Sequence, residues 1–107
     1  MMARALISVP QTARRGEVIE IKTLVAHPME TGYRRDSSGG AIPRDIIRNF
    51  VCTYNGAEIF RADLFPAVAA NPFLSFHTVA TESGELKLSW TGDDGKTQTE
   101  TVNITVV

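Results

Sequence analysis

The side chains that could ligate a soft or borderline metal are His27, His77, Cys52, Glu30 and Asp36. Such a metal wants three or four ligands within bonding reach, and no ligand-spacing motif gathers these five. His77 also falls on the polar phase of its segment, as a solvent-facing or interface histidine would. No metal and no cofactor are expected. Cys52 could act as a nucleophile or redox centre only in an accessible, electropositive setting that lowers its pKa. It shares a phase with Phe50 and Tyr54, where a small buried hydrophobe is the default. A Ser-His-Asp set can assemble from distant parts of a chain, but no Gly-x-Ser-x-Gly elbow is present. Asp36-Ser-Ser-Gly-Gly lacks the lysine of a phosphate-binding loop and follows no obvious strand. Asn103-Ile104-Thr105 fits the N-glycosylation tripeptide, a pattern too common to carry weight.

Charge offers more. Arg34, Arg35, Arg44 and Arg48 lie in or beside one segment with Glu30, Asp36 and Asp45. They can be solvated pairs, each contributing roughly 0–1 kcal/mol. They can also be a docking surface, where arginine forks meet a partner's carboxylates or carbonyls. Met29, Tyr33 and Ile42 in the same segment favour docking, because apolar anchors beside arginines resemble interface interiors.

The elements that must position these residues read as strands. Leu86, Leu88 and Trp90 alternate with Glu85, Lys87 and Ser89; Val102, Ile104 and Val106 alternate with Asn103 and Thr105. Ile19, Ile21, Thr23 and Val25 share one face, as do Phe50, Cys52 and Tyr54, and as do Leu74, Phe76 and Thr78. A period of two marks strands with one buried face. Asn55-Gly56, Ser83-Gly84 and Asp93-Asp94-Gly95 separate the runs as turns. Seven strands are predicted near 4–9, 17–26, 46–54, 57–64, 73–81, 85–91 and 97–106. That number in one short chain predicts an all-β, immunoglobulin-like antiparallel sandwich. Residues 65–72 predict one short helical turn, opened by Pro66 and ended at Asn71-Pro72. Residues 27–45 have no clean period and are expected to form a long functional loop.

At 107 residues the chain is one domain, 1–107. Its hydrophobic fraction of 43% and charged fraction of 21% exclude collagen-like and disordered classes. A net charge of -1 lacks the positive excess of a phosphate-driven nucleic-acid binder. One cysteine forms no internal disulfide, and no run approaches the ~20 apolar residues of a membrane span. The start, MMARALISVP, has no signal-peptide core; by itself that predicts a cytoplasmic protein.

The stretch LVAHPMETGYRRDSSGGAIPRDIIRNF, residues 24–50, resembles the signature of SoxZ, a subunit of the bacterial SoxYZ sulfur carrier. The resemblance continues through YNGAEIFRADLFPAVAANPFLSF, residues 54–76, the Gly84–Trp90 run and the Asp-Asp-Gly turn. It implies an immunoglobulin-like, non-catalytic subunit that pairs with SoxY. In that family SoxY bears the sulfur adduct on a cysteine of a glycine-rich C-terminal arm and presents it to thiosulfate-oxidising enzymes. The resemblance also implies a periplasmic location, reached by export together with SoxY, which reverses the cytoplasmic reading. This chain has no cysteine on a glycine-rich tail; it ends in Val102-Asn-Ile-Thr-Val-Val107, a packed strand by its alternation. Expected partner contacts are His27, Pro28, Met29, Glu30, Thr31, Tyr33 and Arg34, with Ile42, Pro43 and Arg44, and the turn Asn71, Pro72 and Phe73. Self-association of the isolated chain through an exposed apolar face is a further expectation. The rival readings are a small Cys52-dependent redox enzyme and a generic sandwich interaction module.

Overall fold

The computed structural model describes residues 4–107. The part of the N-terminal reading that concerns residues 1–3 lies outside the described residues. Eight strands form: Ala5–Ser8 (β1), Thr12–Ala13 (β2), Val18–Val25 (β3), Ile47–Tyr54 (β4), Ala57–Asp63 (β5), Phe73–Val79 (β6), Gly84–Gly92 (β7) and Thr97–Val106 (β8). They make a three-stranded sheet, β1-β3-β6, and a five-stranded sheet, β2-β8-β7-β4-β5. The all-β, immunoglobulin-like sandwich expected from the alternation is the observed architecture. The seven expected strands are all present, and β2 is an eighth. It pairs parallel to β8 through Thr12–Thr105 and Ala13–Val106. Two residues are too few to show a period, which is why the alternation did not reveal it.

The inner faces meet as the alternation requires. Ile19, Ile21, Thr23 and Val25 of β3 are buried, with Val18, Glu20, Lys22 and Leu24 outside. Phe50 of β4 is fully buried and ties the sheets together. Its ring centroid lies 5.2 Å from Trp90, 5.8 Å from Phe76 and 6.1 Å from Phe60. Phe60 of one sheet stacks on Phe76 of the other at 4.4 Å. Tilted and offset aromatic pairs of this kind stabilise beyond their burial by about 0.5–1.5 kcal/mol each. The Thr23 hydroxyl is the exception in this core: it is buried with no hydrogen-bond partner among the described residues.

Turns hold the register. Asn55 and Gly56 both have positive φ, at 49° and 86°, the geometry that two-residue hairpins require. The Asn55 Oδ1 accepts the Glu85 N–H at 2.9 Å. A Cβ on Gly84 would sit 1.8 Å from that oxygen, so only glycine fits there. The Tyr54 hydroxyl donates to the Glu82 carbonyl and accepts the Thr81 and Glu82 N–H groups at 3.3 and 3.2 Å. This fixes the β6–β7 connection against β4.

One local expectation is corrected. Residues 65–72 do not form a helical turn. A single reverse turn closes by the Val68 N–H donating to the Phe65 carbonyl at 2.9 Å, and Asn71 takes a positive φ of 55°. One i to i+3 bond over a few residues does not overcome helix nucleation, and the segment is held instead by β3. Residues 27–45 form the expected long loop outside the strands, folded as an irregular hairpin with two isolated bridges, described below. With it the molecule measures 59 × 20 × 19 Å. Its radius of gyration is 16.2 Å, against about 13 Å for a compact domain of this length.

Candidate docking surface

The hairpin begins where β3 ends. The His27 N–H donates to Asn71 Oδ1 at 3.0 Å, and the Asn71 N–H donates back to the His27 carbonyl at 2.8 Å. The Val25 N–H donates to the Pro72 carbonyl at 3.2 Å. The segments His27-Pro28 and Asn71-Pro72-Phe73, far apart in sequence, are therefore one clamped corner. His27 Nδ1 accepts the Met29 N–H at 2.9 Å. That leaves Nε2 to carry the proton of the neutral ring, facing Asp45 Oδ1 at 3.8 Å.

Met29 then turns inward with φ at 51°. It is 4% exposed, and its Sδ accepts the Ile47 N–H at 3.3 Å. Beyond it two strand-like arms rise together. Glu30 and Asp45 exchange both backbone hydrogen bonds at 2.8 Å. The Ile42 N–H donates to the Arg34 carbonyl at 2.9 Å, and Arg35 bridges Ala41. At the tip Asp36 accepts the Ser38 and Gly40 N–H groups at 3.0 and 2.9 Å. The Ser38 hydroxyl, which also donates to it, and then those two N–H bonds hold its carboxyl below the usual range. Gly32 lets the arms approach: its φ is +90°, and a Cβ there would lie 3.0 Å from Arg44 Cβ.

Two arginine–carboxylate pairs brace the hairpin. Arg34 Nη2 lies 2.5 Å from Glu30 Oε1, and this fork holds the Glu30 carboxyl below its ordinary pKa. Arg44 is bidentate on Asp93, at 2.8 and 2.9 Å. The Asp93 carboxyl is lowered first by Arg44 and then by the Ile46 N–H it also accepts at 3.2 Å. Planar forks of this type fix geometry as well as charge. Arg44 thus ties the hairpin to the β7–β8 turn, a partner that the local charge pattern did not reveal.

Of the expected contact residues, the structure exposes Pro28, Tyr33, Arg34, Pro43, Arg44, Asn71 and Phe73. Tyr33 is 86% exposed, with its ring in solvent. His27, Glu30, Thr31 and Ile42 are half-buried. Met29 and Pro72 lie in the interior, so they support the surface from beneath and do not form it. Sequence reasoning missed a cleft of about 330 Å³ under the corner, between His27, Pro28 and Asp45 on one side and Trp90, Lys96 and Gln98 on the other. It also missed Leu6 and Leu24, exposed although apolar. Their signal was present: both occupy the outward phase of their strands.

The groups considered for chemistry are dispersed. Cys52 is fully buried, and burial pushes its thiol up to about 11, which keeps it protonated near neutral pH. His77 sits exposed on β6, its Nε2 3.7 Å from Glu20 Oε2. Among the described residues no group of three or more His, Cys, Asp or Glu is placed to hold a metal ion.

The two packed sheets, with the braced hairpin at one end and the sole thiol buried, define an immunoglobulin-like β-sandwich. Residues 7–103 match the family "Sulphur oxidation protein SoxZ". The chain belongs to the SoxZ family and is a sulfur-oxidation protein. A comparison with curated proteins finds no match. Among solved structures, the sulfur carrier protein SoxY from Chlorobium limicola is similar at a TM-score of 0.68 and 14% identity, covering 96% of this chain and 78% of that one. A superoxide reductase (neelaredoxin) from Ignicoccus hospitalis is similar at 0.73 and 16%, covering 98% and 82%. A putative superoxide reductase from Thermotoga maritima is similar at 0.75 and 17%, covering 96% and 85%. At these identities the likeness shows the fold alone.

Proposed function

We propose that this chain is the binding subunit of a sulfur-compound carrier. It pairs with a SoxY-type subunit, which holds the sulfur intermediate on a cysteine of its own, and it makes transient contacts with the enzymes that oxidise that cargo. It performs no bond-breaking. The reading places the pair in the periplasm, reached by export together with the SoxY-type subunit.

The observation that carries this reading is the braced hairpin. Residues 33–41 are exposed without a break, yet the hairpin beneath them is fixed by the Glu30–Asp45 backbone pair, the Arg34–Glu30 fork and the Arg44–Asp93 fork. Ordering exposed chain costs entropy, and a surface ordered in advance spends less of that cost on binding. Cys52 supports the division of labour: a buried thiol with a raised pKa is a poor place to load cargo.

The test is co-purification and calorimetry with a SoxY-type subunit. Tyr33→Ala and Arg34→Ala are expected to weaken the pair at least tenfold, and Cys52→Ala to leave it within twofold. Thiosulfate oxidation by the purified chain alone, or a sulfur adduct recovered on Cys52, would overturn the reading.

A further inference from the structure

The outer face of the three-stranded sheet carries an ordered pattern. Four cross-strand rows follow from the register. Leu6, Leu24 and Phe73 form the first row, and Ser8, Lys22 and Ser75 the second. Glu20 and His77 form the third, Val18 and Val79 the fourth. Leu6 is 60%, Phe73 59% and Leu24 38% exposed, and Val18 and Val79 are exposed with them. The face reads apolar, cationic, anionic, apolar along the strands. A groove of about 260 Å³ runs between Leu6, Lys22, Leu24 and Phe73. Nothing among the described residues covers these side chains.

That order is self-complementary. A two-fold axis lying in the face, across the strands and between the second and third rows, lays each strand on its own copy running the other way. The first row then meets the fourth, and the second meets the third. Leu24 falls on the copy's Val18, and Phe73 on its Val79. Lys22 falls on the copy's Glu20, and Ser75 on its His77. Within one chain Lys22 Nζ already lies 3.3 Å from Glu20 Oε1, so the two copies together build a four-membered ladder of alternating charge. Isologous contacts require this kind of pattern, in which residue i meets j and j meets i. Facing sheets cross at about 30°, so the central Lys22–Glu20 pairs keep the closest register and the apolar rows at either end meet obliquely.

We propose that this face pairs with a second copy of the same chain, as a reversible two-fold dimer in register through Lys22 and Glu20. The size of the face sets the strength. Four rows span about 20 Å along strands at ~3.3 Å per residue, and three strands span about 14 Å at ~4.8 Å spacing. The flat footprint of about 300 Å² is well below the ~800 Å² per partner of a stable complex. The dimer therefore forms at high concentration and dissociates on dilution. This inference does not rest on pairing with a SoxY-type subunit; it concerns the isolated chain.

The test is sedimentation equilibrium from 10 µM to 1 mM, with Lys22→Glu and Glu20→Lys measured separately and as an equimolar mixture. Both positions are exposed, so the variants should fold; circular dichroism checks this. The wild-type chain is expected to dimerise. Each variant alone places like charges across the axis and is expected to dimerise at least tenfold more weakly. In the mixture the two acidic side chains of one variant face the two basic side chains of the other, and the wild-type association is expected to return. A charge pair that acts only within one chain cannot produce that rescue by mixing. Leu24→Asp, outside the charge ladder, is expected to abolish the dimer. A wild-type chain that stays monomeric at 1 mM overturns the proposal, as does a mixture no better than its components. If the lone chain is monomeric and Leu24→Asp instead breaks a complex with a SoxY-type subunit, the face belongs to that partner and self-pairing is refuted.

Discussion

Gly32→Ala probes the docking hairpin without touching the sandwich core. Two costs arise at this position. Its φ of +90° lies in a region that costs an L-residue about 1–2 kcal/mol. The new Cβ would also lie 3.0 Å from Arg44 Cβ, against ordinary contacts beyond 3.4 Å. Arg44 cannot give way easily, because its guanidinium is fixed on Asp93 by two hydrogen bonds. Overpacking of this kind costs about 1–3 kcal/mol. The sum is about 2–5 kcal/mol, or roughly 30- to 4,000-fold in the local opening equilibrium. The Glu30–Asp45 backbone pair sits next to the strain, outside the named strands, and is expected to open before any sandwich strand does. The assay is native-state amide hydrogen exchange at Glu30, Ile42 and Asp45, with Gly39→Ala as the control. Gly39 has a comparable φ of +86°, but a Cβ there meets nothing within 4 Å, so it carries the backbone cost alone. Gly32→Ala is expected to lose roughly 5- to 150-fold more protection than Gly39→Ala, the steric cost alone, while amides of β7 hold theirs. Equal losses in the two variants would refute the steric argument, and lost protection throughout β7 would refute the hairpin's independence.

Thr23→Val replaces a buried hydroxyl that has no partner among the described residues with a methyl group of the same shape, and is expected to raise stability by about 1 kcal/mol, measured as an upward shift of the urea midpoint. Gly84→Ala drives a Cβ into the Asn55 side chain and is expected to lower the thermal midpoint by several degrees, with Asn55→Gly partly rescuing it. Cys52 is expected to resist alkylation at pH 7.5 in the folded chain and to react on addition of denaturant, since its thiol is buried and raised to about 11. The Asp93 carboxyl is depressed in the folded state by Arg44, so its contribution is present above the unfolded pKa near 3.8 and is lost as pH falls through the lower folded value. The protection factor at Ile46, taken against the intrinsic exchange rate at each pH, is expected to fall on acidification below about pH 4 in the wild type, and much less steeply in Asp93→Asn.

The strands were legible from the residues because a half-buried strand must alternate, and Ile19 to Val25, Phe50 to Tyr54 and Leu86 to Trp90 do so without a break. The turn at Asn55-Gly56 was legible because few residues tolerate positive φ. β2 escaped because two residues carry no period and its partner β8 is remote in sequence. The turn at 65–72 was misread because Pro66 and the alanines express only local preference, whereas Asn71 is captured by His27 of another element.

Alternation along the chain, a property of neighbours, determined by itself that this protein is an all-β sandwich, that Cys52 faces inward, and that residues 27–45 stand apart from the strands. Only the tertiary structure decided what those residues do. Arg44 found Asp93 in the β7–β8 turn, Met29 turned from surface anchor to core support, and the Asn71 corner closed on His27. Each of these depends on groups distant in sequence meeting at about 3 Å. Such pairings are chosen by how two sheets pack, and no local pattern of residue types encodes them.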